Sequence, residues 1–591
     1  MDKYLIFFKL LKSYYKLNKY PLLVYLLALI FDTLAKLLSI VSIIPLVDLL
    51  SNFGNNVENE NMGIILKFKE IIEALNFDYT IETTIFIFIF ATFISALTEI
   101  FFYGTSRINS YKIHYYITSI AVRKFYDNGL KSINSHPFGI IQNTFQKEIE
   151  NITNGIFGVL NVFSSIVQAV FLLSLAFSLS YLMSTIAFLL MIAVFLILSK
   201  LNPLIVKLGS NTTMSGNELS SALFDPLLNA KQVISFGKIG WAHDNHASKF
   251  KKHAYDSVLS QITVFSIPVA YRSLGIVSVL IALYFSIIYG EDPALLVAGL
   301  IALVKITPIV SEIMSSIGQF GLALPSIYQF EKIFDNFESS VSVKKMKKYS
   351  GLNNFIKLSK ITYSHDSIRK SIVNVNLTIE KGSYIAFVGH SGSGKTTCVD
   401  IILGLLKPSD GSVFIDNNMM SDIDSESFLN NVGYVQQIPF LFNGSVKENL
   451  LWSNPNATEL DMWSALHDAN IDKFIDSTKD KLDMQVGDRG VALSGGQKQR
   501  IVLAQALIRS PDILILDEAT NSLDHESERL IIQSLENITH NVTIISITHN
   551  PLSVKNADKI FVFDNGSIIE SGTYNELIEK RESFLNRKEL I

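Results

Sequence analysis

The chain has 591 residues, a formal net charge of -4, 18% charged and 49% hydrophobic residues, and a mean hydropathy of +0.32. That is too apolar for a soluble enzyme and points to membrane spans, while the slight acidity argues against nucleic-acid binding, which calls for a basic face. The single cysteine, Cys398, excludes an intrachain disulfide and any multi-cysteine metal site, and it reads as a buried packing residue.

The opening MDKYLIFFKLLKSYYKLNKY spaces Lys3, Lys9, Lys12, Lys16 and Lys19 among Phe7, Phe8, Leu11 and Tyr15, as an interfacial helix over 1–20 would. No small-residue cleavage site follows the next apolar run, so the segment reads as retained rather than as a signal peptide. Apolar runs then predict six spans, at 21–50, 83–106, 155–178, 181–200, 260–289 and 293–320, within a membrane domain over 21–325. Between Glu150 and Lys200 there is no charged residue, which leaves room for two spans joined by a tight turn near Ser180. Lysines and arginines crowd the N-terminal segment and the connections 107–154 and 200–258, whereas the turn near Ser180 and GEDPA at 290–294 have none. Both termini are therefore expected in the cytoplasm. The two long connections carry helical patterns and read as continuations of the spanning helices beyond the bilayer.

On the opposite side, the loop 51–80 contains MGIILKFKEIIEAL, with Ile64, Ile65, Phe68, Ile71 and Ile72 on one side of an amphipathic helix. Charges inside spans are costly and mark candidate functional positions: Asp32, Lys36, Glu99, Arg272, Lys305 and Glu312. Asp32 and Lys36 stand one turn apart and can simply neutralise each other. Alternatively, Lys36, Arg272 and Lys305 line a cavity for an anionic head group, with Glu99 as a further cavity candidate.

A polar, charged stretch over 326–353 reads as a linker, and from 354 to 591 short β-rich runs alternate with helices. YIAFV at 384–388, ILIL at 513–516 and VTIISIT at 542–548 are apolar enough for strands buried on both faces of a sheet. The first leads into GHSGSGKTT, which is Gly389, His390, Ser391, Gly392, Ser393, Gly394, Lys395, Thr396 and Thr397. This fits G-x-x-x-x-G-K-[ST] between a strand and a helix: backbone N–H groups wrap phosphates, Lys395 reaches the β- and γ-phosphates, and the Thr396 hydroxyl ligates Mg²⁺. The second run ends in Asp517 and Glu518, the first suited to the Mg²⁺ shell and the second to orienting or deprotonating an attacking water. The third ends at His549, within reach of a γ-phosphate, although a histidine there is often only a polar strand terminus. VALSGGQKQR at 491–500 sets Ser494, Gly495 and Gly496 at a helix start, a second anion-binding corner.

These residues together resemble the ATP-binding cassette (ABC) transporters, and specifically half-size exporters with six spans and a nucleotide-binding domain in one chain. LSGGQ at Leu493 to Gln497 is that family's signature. The resemblance implies an α-helical membrane domain of the type I exporter fold plus an α/β P-loop NTPase domain, with ATP and Mg²⁺ as cofactors. It implies Gln437 as the Q-loop glutamine, which also approaches the metal, Ser522, Leu523 and Asp524 as the D-loop, and His549 as the switch histidine. VGDRG at 486–490 looks like the exporter loop that touches the membrane domain. Where the family stacks a tyrosine on adenine, ITYSHDS has His365, with Tyr363 two places earlier, and either ring is a candidate for the base.

The family's arrangement also implies a second copy of the chain as partner, the Ser494 corner of one closing on the γ-phosphate held by Lys395 of the other. Coupling helices are expected near 137–146 and 219–230. The substrate implied is amphipathic, moved outward across a bacterial inner membrane. The 51–80 helix and SIIPLVDLL resemble, more loosely, the bacterial lipid-linked oligosaccharide flippases. A multidrug or peptide exporter is the alternative, and an ATP-gated channel or a regulator of a partner protein is a third from another class.

Overall fold

A backbone in hydrocarbon can satisfy its polar groups only internally, so long apolar runs fold as helices. The computed structural model describes residues 19–51, 70, 74, 78–127, 136–291, 293–334, 346–364, 370–519, 525–538, 542–549, 551–580 and 583. The chain divides into two units, Met1–Ser339 and Ser340–Ile591. The first is helical: α1 Lys19–Val41, α2 Ile44–Ser51, α3 Ile81–Asp127, α4 Phe138–Asn143, α5 Ile149–Leu179, α6 Tyr181–Ser199, α7 Asn202–Leu228, α8 Ala230–Ser235, α9 Ile239–Ile288 and α10 Pro293–Phe334. Among the described residues six stretches are long and apolar enough to cross a membrane, as many as the sequence predicts. The interfacial helix expected over 1–20 lies outside the described residues as far as residue 18, and so do all five apolar residues named in the 51–80 loop.

The predicted turn at Ser180 is present. Its backbone is extended, its Oγ accepts from the Met183 N–H, and it also bonds the Glu291 carboxylate, which in turn accepts from the Leu182 N–H at 3.3 Å. Glu291 of GEDPA thereby ties two connections together. The first span, expected as one run over 21–50, breaks at Ser42–Ile43, because Pro45 lacks the N–H that an uninterrupted helix would need and instead sits in the first turn of α2. With 50 residues in α9, the helix is about 75 Å long, more than twice a hydrocarbon core, so it extends well beyond the bilayer.

Two boundaries differ from expectation. A short helix, α4, stands within 137–146, but 219–230 is occupied mostly by the end of α7, and the second short helix comes later, at Ala230–Ser235. Asn229 is what ends α7: it leaves helical geometry with φ -110° and its Nδ2 donates to the Asp225 carbonyl at 2.9 Å. At the other end, α10 does not stop at 325. Ile327, Phe330, Ile333 and Phe334 keep a helical period and are buried against Ile113, Ile117, Ile149 and Ile152 of α3 and α5. Between α4 and α5 a π-helical turn, Thr144–Glu148, buries Glu148, whose carboxylate accepts from Asn143, Thr213 and Ser326. Buried charge of this kind is tolerated only when so bonded.

The second unit is α/β. A six-stranded sheet has the order β10-β9-β3-β8-β7-β6, from Tyr384–Gly389 (β3), Val432–Val435 (β6), Ile513–Asp517 (β7), Thr543–Thr548 (β8), Lys559–Asp564 (β9) and Ser567–Gly572 (β10). β3, β6, β7, β8 and β9 pair in parallel and β10 runs antiparallel at the edge. A second, antiparallel sheet is formed by Phe355–Ser364 (β1), Lys370–Glu380 (β2), Asp410–Ile415 (β4) and Asn418–Met419 (β5), in the order β2-β1-β4-β5. β3, β7 and β8 are buried along their whole length, as their near-continuous apolar sequence requires. In a parallel sheet the carboxyl ends of the strands form the crevice where ligands bind. There the chain places its polar residues.

Candidate functional site

β3 ends at Gly389, and α11, Lys395–Ile402, starts six residues later. The loop between them turns back on itself at Gly394, with φ +103°, where a Cβ would stand 2.6 Å from the Ser371 carbonyl oxygen. Only glycine accepts both that backbone and that closeness. Inside the loop, the buried Lys395 Nζ donates to the carbonyls of Gly389 and His390 at 2.8 and 2.9 Å. Burial holds its pKa below the usual lysine range, against the opposing pull of Glu518 and Asp517. Ser393 Oγ is buried and has no partner. A lysine curled onto its own loop and an orphaned hydroxyl are what a polyphosphate cradle supplies, so the residues fit ATP.

The metal test is similar. Thr396 Oγ1 lies 3.5 Å from Asp517 Oδ1, giving two hard oxygen donors. Among the described residues no group of three or more His, Cys, Asp or Glu could hold a metal. Mg²⁺ takes few protein ligands and completes its octahedron with phosphate oxygens and water, so the Thr396–Asp517 oxygen pair fits it. Asp517 is fixed from the other side by Tyr434, whose hydroxyl donates to Oδ2 at 3.1 Å. Tyr434 was not legible in the sequence, where it looks like any β-strand aromatic three residues before Gln437. Only the adjacency of β6 and β7, with Tyr434 opposite Ile515, sets it against the carboxylate.

Glu518 sits just past β7 at φ +48°, a backbone cost of about 1–3 kcal/mol that active sites commonly carry. Gln437 Nε2 donates to its Oε2 at 2.7 Å, and His549 Nε2 pairs with its Oε1. His549 Nδ1 faces the Gly389 carbonyl at 2.8 Å and donates to it, since a carbonyl only accepts. Gln437 therefore contacts Glu518 rather than the Asp517–Thr396 pair. Residues from the ends of β6, β7 and β8 thus meet on one carboxylate beside the cradle. Such a group can hold a water and take its proton.

Ser494 caps the helix α12, Gly495–Leu507: its Oγ accepts from the Gln497 N–H at 3.3 Å, and the Gln497 side chain accepts from the Ser494 N–H at 3.0 Å. Ser494 and Gly495 are exposed. VGDRG forms a tight turn, with Gly487 at φ +73° and Arg489 at +51°. Tyr363 is half-buried on β1, whereas His365 and Asp524, with the rest of the D-loop, lie outside the described residues. Cys398 is fully buried and burial pushes its thiol pKa up, as the packing role requires.

In the membrane unit, Lys36 and Glu99 line one cavity of about 550 Å³, together with Glu312. Arg272 and Lys305 do not line it, and both are exposed, which corrects the expectation of a three-cation cavity. On α10, Lys305 stands two turns before Glu312 on the same side of the helix and interacts electrostatically with Lys36 and Glu99, whereas Arg272 belongs to α9, which contributes no lining residue.

Asp400 is one turn beyond Thr396. Burial first, then the negative Asp517, pushes its carboxyl up from 3.8 to about 6. The folded chain then binds this proton more tightly than the unfolded one, so its contribution to stability is present at acid pH and is lost as pH rises through that interval. Asp400→Asn is expected to melt higher than the parent at pH 8 in a chelator and equally at pH 4, read by thermal unfolding of the detergent-solubilised chain. A variant that melts lower at pH 8 refutes this.

Comparison with known proteins agrees with this geometry. A family model described as ABC transporter matches residues 372–521. The heterocyst differentiation ATP-binding protein HepA of Nostoc is 29% identical over 448 residues, 75% of this chain and 73% of that protein. A Staphylococcus aureus ATP-binding/permease protein named for multidrug export is 40% identical over 235 residues, 39% of this chain and 41% of its own length. The structure of a bacterial Atm1-family ABC exporter with ATP bound superposes with a TM-score of 0.82 at 19% identity, over 96% of this chain and 98% of that one. The chain thus carries an ABC transporter domain at 372–521 and has the fold of a half-size exporter, six helices long and apolar enough to cross a membrane joined to an ATPase domain whose activity is coupled to transport.

Proposed function

We propose that the chain works as a homodimer that moves an amphipathic substrate, a lipid-linked oligosaccharide or another lipid, from the cytoplasmic leaflet outward across a bacterial inner membrane. The observation that carries the ATP-driven step is the convergence of Gln437, Glu518 and His549 on one point beside Lys395. In this reading the loop 389–397 binds the phosphates, Tyr363 or His365 stacks on the base, and Ser494, Gly495, Gly496, Gln497 and Asp524 of the partner copy complete the site. Thr396 and Asp517 would hold Mg²⁺, which when bound would neutralise charge on the phosphates. Glu518 orients the attacking water and accepts its proton, while Gln437 and His549 hold the carboxylate in place. The nucleotide-binding domain and the N-terminus face the cytoplasm, and α4 and α8 are the coupling helices.

The lipid reading is supported by the polar cavity among α1, α3, α5 and α10 and by the amphipathic sequence of the 51–80 loop. A second reading, multidrug export, is favoured by the name of the staphylococcal relatives, whose matches span about two fifths of their length. Reconstitution in liposomes decides. Fluorescent lipid moved outward with ATP, and not by Glu518→Gln, supports the lipid reading. Deleting 62–75 is then expected to stop translocation while leaving ATPase activity. Transport of drugs but of no lipid overturns it.

A further inference from the structure

The cavity that holds Lys36 and Glu99 has a chemistry of its own. Its lining includes two cationic side chains, Lys36 and Arg107, and two anionic ones, Glu99 and Glu312. Both of these lining cations are engaged within the protein, and the exposed Lys305, which interacts with Lys36 and Glu99, stays outside the lining. Lys36 Nζ lies 2.8 Å from Asp32 Oδ2 and 3.7 Å from Glu99 Oε1. Asp32 is fully buried and also accepts from Gln168 Nε2 at 3.1 Å, so the pair is locked from behind. Arg107 Nε donates to the Tyr103 hydroxyl at 2.9 Å, and its guanidinium lies 5.1 Å from the centre of that ring.

The carboxamides contrast with this. Asn154, Asn161 and Gln319 line the same space, and among the described residues their side chains make no hydrogen bond. Each offers one acceptor and two donor protons in a fixed plane. Phe102 and Phe157 supply apolar ring surface alongside them.

We propose that this cavity binds the neutral, polyhydroxylated head group of a membrane amphipath, a glycosyl group, and not a phosphate or other anion. The inference rests on the exporter reading above and narrows its substrate. A sugar hydroxyl both donates and accepts, which matches carboxamide and carboxylate partners without bringing a charge that must be desolvated. The C–H faces of a sugar ring cover aromatic surface. An anion meets the opposite situation: it must strip Lys36 from Asp32 and Glu99, leaving carboxylates unpaired at membrane depth, and must sit near Glu99 and Glu312 while doing so. A space of about 550 Å³ lies within the range of small-ligand pockets.

The test uses the full chain in phosphatidylcholine nanodiscs and lipids that share one photoreactive acyl chain. These are a diglucosyl diacylglycerol, phosphatidic acid and a trimethylammonium diacyl lipid, with maltose as a soluble competitor. Saturable crosslinking of the glucosyl lipid, weakened at least tenfold by Asn161→Leu and again by Gln319→Leu but not by the exposed Arg272→Gln, is the expected result. Helix content and nucleotide binding confirm that each variant is folded. Phosphatidic acid or the cationic lipid binding as tightly as the glucosyl lipid overturns the proposal, as does undiminished binding by both leucine variants. Equal affinity for maltose makes free sugar the ligand and overturns the lipid head group. ATP-driven lipid transport by the same preparation separates the two readings. Transport without glycolipid capture sinks this inference alone, and capture without transport sinks the lipid-export reading alone.

Discussion

Glu518→Gln is expected to hydrolyse ATP at least about a hundredfold more slowly than the parent, the lower end of what a positioned general base contributes, while binding ATP as well or better. The substitution keeps the side chain's shape, so the Gln437 amide still finds a carbonyl oxygen to donate to, in place of the 2.7 Å bond seen here. What disappears is the negative charge facing His549 and any capacity to take a proton from water. The proposed nucleotide contacts lie elsewhere, on the cradle whose Lys395 and Gly394 are untouched. The cycle is then expected to stop with nucleotide held between two copies. Phosphate release, nucleotide affinity and the fraction of dimer closed in crosslinking experiments together check this. Turnover within threefold of the parent removes Glu518 from its assigned role.

Ser494→Arg is the second large effect, and its mechanism is different. Within one chain, Ser494 and Gly495 are exposed at the start of α12, far in sequence from Lys395. An arginine there loses the hydroxyl that accepts from Gln497, a cap worth about 1 kcal/mol, too little to unfold a domain. It also puts a long cation where the helix N-terminus attracts an anion. If the corner serves the nucleotide of a second copy, ATPase activity falls at least a hundredfold, since the closed pair no longer forms. ATP affinity of the single copy stays within a factor of two. Phosphate release at saturating ATP and fluorescent-nucleotide titration give the two numbers. Normal turnover in this variant rejects the two-copy site.

The parts of the site that were legible are those whose chemistry is written in a few consecutive residues. Gly389 to Thr397 is readable because its φ requirements and close approaches arise within one turn. Asp517 and Glu518 are readable because a fully apolar strand that ends in two acids has few other uses. The six spans are readable because the bilayer demands length and apolarity and little else.

Partnerships across the sheet were not legible. Tyr434 reaches Asp517 across 83 residues, and Gln437 reaches Glu518 across 81; nothing local to either predicts the contact. The same holds for the charges inside the spans. The ion pair of Asp32 and Lys36 follows from i,i+4 spacing, but no spacing rule says that Glu99 joins it and Arg272 does not. Helix ends were legible where a glycine or a charge marks them. At Asn229 the ending is decided by a side-chain bond, and the continuation of α10 past 325 by packing partners far away in the chain.

Composition, hydropathy and the spacing of glycine, lysine and acidic residues were by themselves enough to determine that this is a six-span chain with a phosphate-binding ATPase domain, because backbone geometry and lipid solvation act on short segments. The order of the strands decided which side chains stand on Glu518 and Asp517, and the rotation of α1, α3, α5 and α10 about their axes decided which charges and carboxamides share a cavity. Both are contacts between segments distant in sequence, whose energies depend on burial and register that no local pattern encodes.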